Sequence, residues 1–358
     1  MRLFLRAKEY PQFDEAHVEF GGRRRRPSPQ IEQVHELLAD IFEDAKAVPI
    51  ARQLSEARRI IDEGFTGQPN DAESLGVNIT AVKIGRMPAE WVIAPGAAAD
   101  RRLLYLHGGG FVIGSPRSHR MLTSELSRRC KLAVLAIDYR LAPENRQIDA
   151  VRDCRAGYRW MLENGPDGTS DAREVFVAGD SAGGNLTLGL SNWTRDEGLR
   201  VPDGVIAFSP STDMTLGGIS IRGNLDTDPM LGPALGFLAK MPKTLQLLAI
   251  TAAGRSNPRN PVISPLFADL SGLPPTLVQA SDSEMLLDDA RRYVSKARLQ
   301  GSPVTLQTWP GMVHVWPMFH QMLPEGGEAL DQVARFVERI SSGRAPLEPV
   351  QEEAAVPA

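Results

Sequence analysis

Val175-Phe176-Val177-Ala178-Gly179-Asp180-Ser181-Ala182-Gly183 is the stretch that decides the fold of this chain. The first four residues read as a short buried strand, and from Gly183 to Arg195 the apolar residues recur at helical spacing. Between them stands G-x-S-x-G in the strand–turn–helix setting that gives the pattern meaning. So sharp a turn strains the serine backbone and lifts Oγ above the end of the sheet. Glycines flank it because the turn leaves no room for Cβ atoms. The helix behind Ser181 also sets a partial positive charge beside it. Five residues alone would equally describe a tight turn with a surface serine, so the weight falls on their surroundings.

Outward from this turn, short β-rich runs alternate with longer helical ones. Strands are predicted at Val77–Ile84, Trp91–Ile93, Leu103–Leu106, Leu132–Ile137, Val175–Ala178, Val205–Phe208, Thr276–Gln279 and Val304–Trp309. Helices are predicted at Arg117–Cys130, Asp149–Glu163, Gly183–Arg195, Leu286–Leu299 and Glu328–Ile340. The later strands are continuous apolar runs, as strands covered by helices on both faces should be. The pattern predicts an α/β layered fold with a mostly parallel eight-stranded sheet.

Residues 214–260 interrupt the alternation with two helix-like pieces, Gly232–Lys240 and Lys243–Ala253, an insertion of the size that covers sites or forms lids. Before the first strand, residues 1–27 read as an irregular arm, and Ile31–Phe65 as two amphipathic helices split near Pro49. The division expected is therefore 1–70 for arm and first helical segment, 71–213 with 261–341 for the α/β domain, and 214–260 for the insertion. Residues 342–358, proline-rich and acidic, are expected to be disordered.

The 358 residues carry 40 Lys and Arg against 44 Asp and Glu, a net charge of −4, with no broad basic surface for nucleic acid. The run Arg23 to Arg26 reads as a solvated arm. Cys130 and Cys154 sit in apolar helical patterns and read as buried free thiols. No apolar run approaches membrane-spanning length, and the apolar run near Met1 is too short for a signal peptide, so a cytoplasmic protein without stable membrane insertion is expected.

Four parts of a nucleophilic site can be assembled in chain order. His107-Gly108-Gly109-Gly110-Phe111 follows a strand directly, so backbone N–H groups stand free of side chains and can receive an oxyanion. A phosphate-cradling loop would need GxGxxG spacing or a Walker lysine, and both are missing. Ser181 is the nucleophile candidate. His314, on the loop after the last strand, is the candidate base; His320, in an apolar stretch with Trp316 and Phe319, is its competitor. An acid should follow the strand Thr276–Gln279, where Asp282 and Glu284 lie on the loop and Asp288 and Asp289 in the next helix. Spacing leaves Asp282 and Glu284 open, while one of Asp288 and Asp289 reads as a capping or solvated residue. With such a base, turnover should fall below about pH 6.

HGGGF, Asp138-Tyr139-Arg140-Leu141-Ala142-Pro143-Glu144, GDSAGGN, Ser264-Pro265-Leu266, Gly272-Leu273-Pro274-Pro275 and Pro310-Gly311-Met312-Val313-His314 occur in one order. Together they resemble the bacterial hormone-sensitive-lipase-like esterases of the α/β-hydrolase fold, from about Val77 to Ile340. The resemblance implies hydrolysis of small, short-acyl esters through an acyl-enzyme, with no cofactor and no metal. It implies a cap built from the amino-terminal helices and from the insertion after the sixth strand, and pairing of chains along the last strand's edge. By resemblance Ser181 is the nucleophile, with Gly109, Gly110 and Ala182 as oxyanion donors. Aligning the family's D-P-L-x-D loop on Leu286-Leu287-Asp288 puts its acid on Glu284, a departure from the commoner aspartate. Phe111 and Asp180 are the candidates for contact with substrate, Asp180 being expected to hydrogen-bond the turn rather than react. Asp138 to Glu144 is expected to support the glycine loop. Met230, Leu231, Leu235, Phe237 and Leu238 are candidates for the acyl wall or for plain core of the insertion. Asn145-Arg146-Gln147-Ile148 departs from the relatives' His-Pro-Phe-Pro and is expected to alter a surface turn. Plant hormone receptors of the same fold lack the working histidine, whereas His314 is present here.

Overall fold

Leu103 and Tyr105 point to one side of strand β3 (Ala98–Leu106), Leu104 and Leu106 to the other, and all four are buried. The same two-residue alternation runs through β4 (Leu132–Ile137), β7 (Glu174–Asp180) and β8 (Gly204–Phe208), so both faces of the sheet demand cover. Helices α3 (Arg120–Cys130) and α10 (Pro324–Ser341) cover one face, with Leu122, Leu126, Val333 and Phe336 against Tyr105 and Phe176. On the other, α4 (Gln147–Glu163) and α5 (Ala182–Asp196) set Tyr158, Met161, Leu186 and Leu190 against Leu104 and Val177. Helix α9 (Leu287–Leu299) completes that layer over β8 and β9 (Thr276–Ser281) through Ala290, Tyr293 and Val294. Each such large apolar side chain removed from water contributes about 2 kcal/mol.

The computed structural model describes residues 26–47, 52–64 and 75–344. The arm up to residue 25, the break near Pro49 and the tail beyond residue 344 lie outside the described residues. With β1 at Asn78–Ile84, β2 at Met87–Ile93 and β10 at Val304–Trp309, the eight-stranded sheet has the order β1-β2-β4-β3-β7-β8-β9-β10. Strand β1 pairs antiparallel with β2, and β2 antiparallel with β4; the remaining neighbours are parallel. Strands β2 and β3 begin earlier than their apolar runs suggest. Pro88 and Glu90 look like breakers, yet Pro88 pairs with Lys83 in the hairpin register and buried Glu90 is held by Arg120 at 2.7 Å. Arg101 and Arg102 are accommodated within β3 because Glu174 takes the first and the Met161 carbonyl the second. A two-residue pair, β5 (Asn164–Gly165) with β6 (Gly168–Thr169), is too short to leave a pattern.

Helices α1 (Ile31–Ala47) and α2 (Gln53–Gly64) precede the sheet. Between β8 and β9 the chain forms α6 (Ser220–Gly223), α7 (Leu231–Lys240) and α8 (Lys243–Gly254). Cys130 and Cys154 are buried free thiols, and burial pushes the Cys130 thiol up to about 12. Among the described residues no helix is long and apolar enough to cross a membrane, and no group of three or more His, Cys, Asp or Glu could hold a metal ion. The loops that leave the carboxyl ends of β3, β7, β8, β9 and β10 meet at one edge, where open α/β sheets place their sites.

Candidate active site

Ser181 sits between β7 and α5 with φ +53° and ψ −115°, a backbone conformation that side chains rarely adopt. Its N–H donates to the Phe208 carbonyl and its own carbonyl accepts from Asn185 and Ser211, so the strained residue is pinned on both sides. The close approach of β3 explains the flanking glycines. A Cβ on Gly179 would stand 2.6 Å from the carbonyl oxygens of Gly183 and Leu106, and one on Gly183 would overlap Leu106 O.

His314 faces this serine, with Nε2 2.9 Å from Ser181 Oγ. Its Nδ1 lies 3.2 Å from Glu284 Oε2, and Ser209 Oγ donates to that same oxygen at 2.6 Å. Ser209 Oγ accepts in turn from the Val315 N–H at 3.1 Å. Asp282, left open against Glu284 by spacing, is exposed and turned away: its Oδ1 accepts the Gly311 N–H and the Ser283 hydroxyl. His320 engages the Pro317 carbonyl instead of the site. Neither Asp288 nor Asp289 is solvated. Asp288 Oδ2 accepts Ser220 N–H, and Asp289 Oδ2 accepts the N–H groups of Thr212 and Asp213, so both fasten the chain where it leaves β8.

The glycine loop closes as a turn in which the Gly109 carbonyl accepts from Val112 and Ile113, leaving the N–H groups of Gly109 and Gly110 outside the turn's own bonds. Ala182 opens α5, so its N–H has no carbonyl one turn earlier in the helix to meet. Beneath the loop, Tyr139 stacks on His107 with centroids 4.1 Å apart and donates to the His107 carbonyl at 2.6 Å. Ala142 N–H donates to the Phe111 carbonyl, which makes the Asp138–Glu144 stretch the loop's support. Phe111 is mostly buried among Leu106, Tyr139 and Ala182.

Asp180 is buried. Its Oδ1 accepts the Tyr105 hydroxyl at 2.6 Å and the Gly108 N–H at 3.0 Å, and His119 Nε2 lies 3.4 Å from Oδ2. It ties turn and glycine loop together from below because the strand's last inward position puts it under Gly108. The acyl-wall candidates divide as well. Leu231 and Leu235 pack on Met285 and Leu286, Met230 packs towards Trp309 and Phe319, and Phe237 is 81% exposed. Gln147, in the divergent Asn145–Ile148 stretch, is buried at the start of α4, with Arg146 and Asp149 capping that helix.

Burial works against an imidazolium at His314, but its hydrogen bond to Glu284 and the charges of Glu284, Asp228 and Asp180 outweigh it, and the pKa rises above the ordinary 6.5. Burial also raises the Glu284 carboxyl, against the pull of His314 and Ser209. His107 is driven down to about 3 by burial and by neighbouring His119, so it is a neutral ring at physiological pH.

Several supporting residues leave no motif. Ser209 could have been suspected as the first polar residue after a buried strand on the site's edge. Arg58, on α2, donates to the Val112 and Ala142 carbonyls and pairs with Glu144 at 2.9 Å; nothing local marks it.

Residues 103–318 match the family described as the alpha/beta hydrolase fold. The chain is 36% identical to an acetyl-hydrolase of Streptomyces hygroscopicus over 87% of its own length and 96% of the relative's. It is 35% identical to an esterase of Acinetobacter venetianus, covering 73% of this chain and 82% of that one. A crystal structure of an esterase from the bacterial hormone-sensitive lipase family superposes with a TM-score of 0.74 at 35% identity, covering 88% of this chain and 99% of the other. With the fold, the motif order and these likenesses in agreement, the chain belongs to the α/β-hydrolase family, in its bacterial hormone-sensitive-lipase-like branch of esterases.

Proposed function

We propose that this carboxylesterase cleaves short-acyl esters through Ser181, His314 and Glu284 by way of an acyl-enzyme. The observation that carries the reading is the continuous line from Ser181 Oγ to His314 Nε2 at 2.9 Å and from His314 Nδ1 to Glu284 Oε2 at 3.2 Å. Ser181 Oγ attacks the ester carbonyl carbon as its proton passes to His314 Nε2. The carbonyl oxygen becomes an oxyanion that accepts from the N–H groups of Gly109, Gly110 and Ala182, each donor contributing about 3 kcal/mol in such a site. Glu284 holds the Nδ1–H tautomer and stabilises the cation. Collapse breaks the bond to the alcohol, which departs with the proton from Nε2. Water then gives a proton to His314 and attacks the acyl carbon, releasing the acid and restoring the serine hydroxyl.

In this reading Phe111, mostly buried beside the turn, lies at the acyl side of Ser181 and favours short acyl groups. An acetyl-hydrolase among the relatives agrees with it. Helices α1, α2 and residues 214–260 form the cap in this reading, α1 packing Val34 and Leu38 on Met312, Val313 and Trp316 beside the base. The test is hydrolysis of p-nitrophenyl esters from acetate to laurate by wild type and Ser181→Ala. Wild type should favour acetate or butyrate, and the folded variant should lose activity at every chain length. A folded Ser181→Ala protein that still turns over would move the nucleophile elsewhere, and a preference for laurate would remove the short-acyl assignment.

A further inference from the structure

The loop that carries Glu284 has its carbonyls taken up by one stretch of the insertion between β8 and β9. Asn224 Nδ2 donates to the carbonyls of Asp282 and Glu284, each at 2.8 Å. Thr227 Oγ1 donates to the Ser283 carbonyl at 2.9 Å, and Ser220 Oγ to the Met285 carbonyl at 2.8 Å. The Met285 N–H, immediately after the acid, donates to Asp228 Oδ2 at 2.8 Å. Asp228 is only 2% exposed, and its second oxygen accepts the N–H groups of Met230 and Leu231 at 3.1 and 2.8 Å. One buried carboxylate thus joins the opening of α7 to the amide beside Glu284, at the helix end where a negative charge is favoured.

The consequence is geometric. At 3.2 Å the His314–Glu284 contact already sits at the long end of a hydrogen bond, so a shift of a fraction of an ångström in the loop weakens it steeply. Four consecutive carbonyls tied to residues 220–227 restrain that shift. We infer that Asn224, Thr227 and Asp228 are positioning residues for the proposed ester hydrolysis, holding the Glu284 backbone where its carboxylate meets His314 and coupling that position to the start of helix α7. The inference rests on the reading in which Glu284 supports His314. The charged groups facing His314 are Glu284 from the β9–α9 loop, Asp228 from the insertion and Asp180 from the end of β7, so removing the Asp228 charge also lowers the pKa of the base.

The experiment compares kcat, KM and the pH profile of wild type, Asp228→Asn, Thr227→Val and Thr227→Ser with p-nitrophenyl butyrate as the probe, with melting temperature recorded for each. Asp228→Asn should lose kcat by about tenfold with KM changed less than about twofold, the scale of a small misplacement of a supporting group. Its acid limb should move to lower pH. Thr227→Val should lose kcat severalfold with the wild-type acid limb, and Thr227→Ser should restore it. A folded Asp228→Asn protein with wild-type kcat and pH profile overturns the inference, as does a drop in melting temperature alone. Should Asp228→Asn fail to fold, an unchanged kcat in Thr227→Val overturns it, and a fall rescued by serine supports it. The underlying reading fails separately, if Glu284→Gln in the wild-type background keeps full activity.

Discussion

Replacing Glu284 with glutamine separates the two acids that spacing alone leaves open. The buried Oε2 accepts from both His314 Nδ1–H and Ser209 Oγ–H, whereas Oε1 is buried with no hydrogen-bond partner among the described residues. A glutamine has two ways to sit there. With its oxygen at Oε2 the amide group occupies the Oε1 position, and an unsatisfied buried donor costs about 1–3 kcal/mol. With its amide at Oε2 it donates to Nδ1, so Nε2 carries the hydrogen and cannot take the proton of Ser181. Both orientations lose the charge. A unit pair about 4 Å apart at an effective dielectric near 20 interacts by about 4 kcal/mol, which would lower kcat roughly a thousandfold. Asp282→Asn should leave kcat within about threefold, since that carboxylate contacts Gly311 and Ser283 rather than the imidazole. Steady-state hydrolysis of p-nitrophenyl butyrate at pH 8, with near-ultraviolet circular dichroism to establish folding, reads both. Glu284→Gln retaining more than a tenth of wild-type kcat, or Asp282→Asn proving the more damaging change, would refute the reasoning.

Gly109→Ala should cost about 100-fold in kcat, the order for one oxyanion donor, because φ is +104° there and the new Cβ would overlap the Ile113 carbonyl. Gly110→Ala, strained at φ +62° but with no atom within 4 Å of the new Cβ, should cost less than Gly109→Ala; wild-type kcat in Gly109→Ala would point away from the loop's N–H groups. The pH profile follows from the sign of the His314 shift. The base works when neutral and Glu284 raises its pKa, so kcat/KM should be high above the shifted value and fall as pH drops through it, with a midpoint above 6.5. A midpoint below 6.5 in wild type would contradict the ion-pair geometry.

Ser181 and His314 were legible because their settings are local. A strand, two flanking glycines and a helix define the turn, and a Pro-Gly turn after the last strand delivers the histidine. The sheet was legible for a related reason, since strands buried on both faces leave apolar runs such as Leu132–Ile137. The acid was legible only through the resemblance and not from spacing, because the backbone path after β9 decides which of two carboxylates two residues apart turns inward. Asp180 was expected to hydrogen-bond rather than react, but its partners were not legible. Strand alternation sends the aspartate below the sheet's edge, where Tyr105 and Gly108 meet it.

What the motifs do not carry is the bracing of the site, and that bracing has a common source. The glycine loop is gripped by α2, through Arg58 on the Val112 carbonyl and Asp62 on the Ser115 hydroxyl. The histidine loop is covered by α1, and the acid loop is tied by residues 220–228. Each catalytic loop thus leaves the sheet and is held by a segment that the sheet itself does not require. Long-range contacts of this kind have no signature in spacing, because a donor such as Arg58 can reach its loop from any helix that passes close enough. In the proposed reading the same segments form the cap over Ser181. Substitutions that reshape the space for the acyl group will therefore move the catalytic loops as well, so acyl preference and turnover should change together in this enzyme.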